Sequence, residues 1–134
     1  EILLENYSKL INIEAQTMIE MASREILPAC IAFSSKLTQA IIDKKAVSLP
    51  AAAETDLAQH VSELTDRAYL ALKSLEDIVV EAKLVEDVVA AAYNYHDKVF
   101  ASMQELRACC DALETIVSKE YWPFPTYSDL LFSV

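Results

Sequence analysis

"VEAKLVEDVVAAAY", residues 80–93, decides what shape this chain can take. Its apolar spacing runs on without glycine, proline or asparagine, so one helix could continue from about residue 50 to about residue 120. At 1.5 Å per residue that helix would be about 105 Å long, and an uncapped span of this length suggests an extended coiled coil. A compact domain requires a turn near Lys83 to Asp87. Glu86 and Asp87 suit the first turn of a new helix, because carboxylates are favoured at its positive end. We expect the turn.

Working outward, three apolar stripes appear at helical spacing. The first, over about residues 1–45, holds Leu4, Ile11, Ala15, Met18, Ala22, Ile26, Ala29, Phe33, Leu37 and Ala40. Pro28 lies within it and predicts a kink rather than a stop, since the stripe keeps its phase across the proline. The second, over about 50–83, holds Leu57, Val61, Leu64, Ala68, Leu72, Leu75, Val79 and Ala82, with Pro50 in its first turn and Ser48 as a candidate cap. The third, over about 87–120, holds Val88, Ala92, Tyr95, Val99, Met103, Leu106, Cys110, Leu113 and Val117. The expected fold is all-α: a single domain over 1–134, an antiparallel bundle of three long helices, or four if Pro28 splits the first.

Composition agrees. The 134 residues include no glycine, where ordinary usage of about 7% predicts roughly nine. Left-handed turns, phosphate-cradling loops and tight strand connections rely on glycine, which argues against sandwiches, barrels, Rossmann domains and P-loop enzymes. With 21 acidic and 11 basic residues the formal charge is −10. Duplex nucleic acid and anionic membrane surfaces would be repelled, and no apolar run reaches the 18 or more residues of a membrane span. Cys30, Cys109 and Cys110 make a poor disulfide framework, and suit small buried hydrophobes in a reducing cytoplasm. Glu1 falls in mid-pattern with no methionine ahead of it, so the chain reads as excised from a longer one.

Chemistry-bearing constellations are sparse. His60 follows Leu-Ala-Gln and His96 follows Tyr-Asn-Tyr, so neither completes the Glu-x-x-His pair of a di-iron bundle. Zinc spacing is likewise missing. No histidine neighbours Cys109 or Cys110 in sequence to activate a nucleophile, and the carboxylates spread over polar faces. Met18 and Met21 read as core. Neither a catalytic residue nor a metal or cofactor ligand is expected in this chain.

The end is different. "YWPFPTYSDLLFSV", residues 121–134, cannot be continuous helix, because Pro123 and Pro125 push Trp122 and Phe124 toward extended geometry. Ser128 offers a cap for one last turn. Burying Trp122, Phe124, Tyr127, Leu131 and Phe132 would contribute several kcal/mol at roughly 25 cal/mol per Å². We expect a strap across the domain's own helices, with an inter-domain or inter-subunit contact as the rival. Trp122, Pro123, Phe124, Pro125, Tyr127, Leu130, Leu131 and Phe132 are the candidate packing or interface residues.

This tail and the helix "NYSKLINIEAQTMIEMASREILPACIAF", residues 6–33, resemble the carboxyl-terminal region of type III glutamine synthetases. That family ends in an acidic residue, an aromatic or apolar residue, Trp-Pro-x-Pro-x-Tyr and x-x-Leu-Leu-Phe. The matching positions are Glu120, Tyr121, Trp122, Pro123, Pro125, Tyr127, Leu130, Leu131 and Phe132. The helix pattern matches at Ile11 to Ala15, Met21, Ala22 and Ile26 to Ala29. The resemblance covers nearly the whole chain and is weakest from about Val47 to Val85. The family carries a short charged insertion between the second and third helices, reduced in this sequence, which supports a turn there.

The resemblance implies a parent enzyme that joins ammonia to glutamate with ATP and divalent metal (Mg²⁺) in stacked homo-oligomeric rings. Its catalytic residues lie in upstream domains whose motifs these residues do not contain. The implied role is a non-catalytic structural or assembly domain, partnered by the upstream catalytic domain and by neighbouring subunits, in the cytoplasm. A free-standing helical adaptor with a linear recognition tail, or a coiled-coil module, is the alternative.

Overall fold

The computed structural model describes residues 2–125. It is all-helical, and three rods carry the chain. The first comprises α1 (Ile2–Met21), a π turn (Ala22–Ile26) and α2 (Leu27–Ala46); the second is α3 (Ala52–Lys83); the third comprises α4 (Val88–Asn94), a π turn (Tyr95–Val99) and α5 (Phe100–Glu114).

Pro28 does not split the first rod. An α-helix would pair the Arg24 carbonyl with the N–H of residue 28, which proline lacks. The turn ahead of it opens to i→i−5 pairing instead, with the Leu27 N–H donating to the Ala22 carbonyl. The wider turn also shifts the phase of the stripe. Ile26 and Leu27 are both buried, and Cys30 takes the core place expected of Ala29. A second π turn recurs in the third rod, where the Phe100 N–H donates to the Tyr95 carbonyl. Nothing in the sequence announced it.

The turn at Lys83 to Asp87 is present. Lys83 ends α3, and Asp87 precedes α4 with extended backbone, its Oδ2 accepting from the Ala90 N–H at 2.9 Å. Asp87 therefore caps the helix instead of lying inside its first turn, as expected from sequence. The other connection departs further from expectation. Helix α3 begins at Ala52, with Ala51 as an N-terminal residue that offers no side-chain cap. Pro50 thus precedes the helix, and Ser48 closes the helix before it. Ser48 adopts φ 61°, its N–H donates to the Lys45 carbonyl at 3.2 Å, and the Leu49 N–H donates to the Lys44 carbonyl at 2.8 Å. This is the left-handed C-terminal motif that ordinarily takes glycine. A chain without glycine places serine there.

Contacts between the rods follow a simple order. Lys44 pairs with Glu54 and holds its carboxyl below the usual range, and the Ser34 and Ser62 hydroxyls hydrogen-bond at 3.4 Å. Positions thus fall along α3 as they rise along α2. Tyr7 meets His96, ring centroids 6.5 Å apart, and Phe33 meets Tyr121, so the first and third rods rise together. Between them lies one core that includes Ile11, Ala15, Cys30, Val61, Leu75, Val79, Val99, Leu106 and Leu113. The second and third stripes are buried as expected except at Leu57, which is exposed, and at Leu64, Val88 and Cys110, which are half-buried.

Helix α5 ends at Glu114, short of the expected residue 120. The Val117 N–H still reaches the Leu113 carbonyl at 2.9 Å. Ser118 then nucleates a second turn, its carbonyl accepting from Tyr121 and Trp122 at 2.9 and 3.1 Å while its hydroxyl accepts from the Glu120 N–H at 3.3 Å. That turn delivers the aromatic residues onto the first rod.

Candidate functional site

Where the first and third rods run side by side, their outward faces leave an apolar groove. Residues a turn apart share a helix face, so Ile13, Thr17 and Met21 from α1 stand opposite Phe100, Gln104 and Arg107 from α5. The groove holds about 570 Å³ and is bordered by Glu14, Asp111 and Glu114. Trp122 and Phe124 line it too. Trp122 is only 9% exposed and belongs to the core; Phe124 is half-buried against it. Tyr121 tilts 55° onto Phe33, centroids 5.7 Å apart. Pro123 and Pro125 are exposed. Of the other candidate residues, Tyr127, Leu130, Leu131 and Phe132 lie outside the described residues.

A second groove of about 480 Å³ opens on the same pair of rods, toward the beginning of α1. Leu4 and Tyr7 face Val89, Ala92 and Tyr93 across it, with His96 and Asp97 at the rim. His96 Nδ1 lies 2.9 Å from Asp97 Oδ1. Sequence reasoning missed Ile13, Tyr93 and Phe100, which fall outside the buried stripes. Their signal was large apolar side chains at positions where an outward face should be polar. Met21, expected in the core, is partly exposed along the groove.

The titratable groups give little reactive chemistry. Burial pushes the Cys30 thiol up to about 11. Burial, with Cys109 and Cys30 nearby, pushes Cys110 to about 12. Cys109 is raised by burial first and by Glu105 second. At neutral pH such thiols stay protonated and are poor nucleophiles. His60 is exposed, and the Asp56 backbone oxygen lies 2.9 Å from its Nδ1. Among the described residues no group of three or more His, Cys, Asp or Glu side chains could hold a metal ion. Nor is any helix among them long and apolar enough to cross a membrane. What this surface offers is apolar area with a charged rim, suited to holding another polypeptide surface.

The sequence of the first rod matches the family described as "Glutamine synthetase C-terminal domain", over residues 1–45. Similarity to individual proteins extends further. A glutamine synthetase of Butyrivibrio fibrisolvens is 32% identical over 100% of this chain, a type-3 glutamine synthetase of Dictyostelium discoideum 30% over 98%, and a glutamine synthetase of Bacteroides fragilis (strain YCH46) 26% over 99%. The chain spans 19% of the length of each of these relatives. With matches that cover the whole chain, and a first rod that carries the family's own pattern, the chain belongs to the glutamine synthetase C-terminal domains.

Proposed function

We propose that this chain is a non-catalytic structural and assembly domain of a type-3 glutamine synthetase, an enzyme that makes glutamine from glutamate and ammonia with ATP. The observation that carries this reading is the 32% identity running the length of the chain to a protein of which it matches about a fifth. The three rods form an antiparallel bundle in this reading, supported by the Lys44–Glu54 and Ser34–Ser62 pairings and by the Tyr7–His96 and Phe33–Tyr121 contacts. The aromatic tail is a packing element of that bundle, supported by burial of Trp122.

The domain's mechanism is burial of apolar surface, which is the dominant favourable term in association. Its partners are the upstream catalytic domain of the same chain and neighbouring subunits of a homo-oligomer, in the cytoplasm. In this reading ATP and Mg²⁺ bind outside the chain.

The test removes residues 2–134 from the longer protein and follows two readouts together. Native mass spectrometry is expected to show loss of the full oligomer, and glutamine formation from glutamate, ammonia, ATP and Mg²⁺ to fall with it. Unchanged assembly would refute the structural role. Glutamine formation by residues 1–134 alone would refute the non-catalytic one.

A further inference from the structure

We infer that the end of the molecule where α1 begins is a docking site for the polypeptide that precedes α1 in the parent chain. Ile2 and Leu3 are 75% and 82% exposed, among the most exposed large apolar side chains of the described residues. Leu84, in the turn between α3 and α4, and Tyr93 on α4 are 75% and 66% exposed at the same end. Between them the groove of Leu4, Tyr7 and Val89 stands open. Apolar side chains this exposed and this close together mark a surface that something covers.

What covers it follows from where the chain enters. In the relatives the matched region is the C-terminal 19%, so the rest of their length leads into the position where this domain begins. A segment tethered at that point meets this surface at an effective concentration that no separate partner reaches. The occupant is thus an apolar element of the same polypeptide. The inference rests on the reading of this chain as part of a longer synthetase.

The test places the photo-crosslinker benzoylphenylalanine at position 93 of the full-length protein, prepared as a mixture of isotopically light and heavy chains. Position 70 on α3, 66% exposed, serves as the control. A crosslink from position 93 to residues ahead of Glu1 within one chain, with none from position 70, is the expected result. Capture of residues 126–134, a heavy–light crosslink to a second copy, or no crosslink at all overturns it. A second measurement follows proteolysis of the segment ahead of Ile2. Leu3→Glu is expected to speed cleavage at least tenfold while Leu70→Glu leaves it unchanged; equal rates overturn the inference. A full-length protein that forms glutamine yet gives no such crosslink defeats the docking site alone. One that forms no glutamine defeats the functional reading instead.

Discussion

The ring of Tyr121 lies on the ring of Phe33, centroids 5.7 Å apart at 55°. The two residues sit 88 positions apart (121 minus 33), and their contact ties the segment after the third rod to the second half of the first. Tilted aromatic pairs of this kind contribute about 0.5–1.5 kcal/mol beyond the area they bury. The contact brings Trp122 to the core and leaves Phe124 along the groove.

Trp122→Ala removes the largest side chain of that segment. Loss of a core aromatic costs about 3–5 kcal/mol, and the slightly exposed rim position places the effect near the lower end, about 3 kcal/mol. Tyr121→Ala is expected to cost less, about 1 kcal/mol, from the lost ring pair. Urea unfolding checks both. A Trp122→Ala protein within about 0.5 kcal/mol of wild type would mean that the ring carries no packing load.

Asp87→Ala removes the only side-chain cap on α4 and leaves the Ala90 N–H without its 2.9 Å partner. The expected loss is about 1 kcal/mol, and Asp87→Asn should keep most of the cap. Thermal unfolding of the three proteins side by side decides it. Equal melting of Asp87→Ala and wild type would show that α3 and α4 are held apart by packing alone.

Ser48→Gly should stabilise. A left-handed residue with a Cβ costs about 1–2 kcal/mol, and glycine returns part of that gain through the entropy of its unfolded chain. The net expectation is a gain of about 0.5–1 kcal/mol in chemical denaturation. Ser48→Val, which tolerates φ 61° worse still, should move the other way.

The thiols make stability fall in alkali. Cys30 is raised from 9.0 to about 11, so its protonated form is favoured in the folded chain. A group raised on folding contributes stability that is full below its unfolded value and lost as pH climbs through the folded one. Stability should therefore decline between about pH 9 and pH 11. Cys30→Ala should lose less of its own stability over that window, measured as the difference between urea midpoints at pH 8 and pH 10.5. Parallel decline in both proteins would remove Cys30 as the cause. Thiol reagents at pH 8 should likewise label Cys30 and Cys110 quickly only after unfolding.

The rods, their buried stripes and the turn at residues 83–87 were legible in the sequence, because helical burial is a local rule with a period of 3.6 residues. A glycine-free composition narrowed the fold class by the same kind of local argument. Three matters were decided only in three dimensions. The π turn before Pro28 moves burial from Ala29 to Cys30, since a missing N–H is resolved by the neighbouring turn and the core accepts the new phase. Ser48 closes one helix rather than capping the next, since the short link must reverse the chain between Lys44 and Glu54. The groove along α1 and α5 exists because two rods that rise together leave their outer apolar residues side by side. Periodicity tells which side chains face inward along one helix, and only packing tells which outward ones become neighbours.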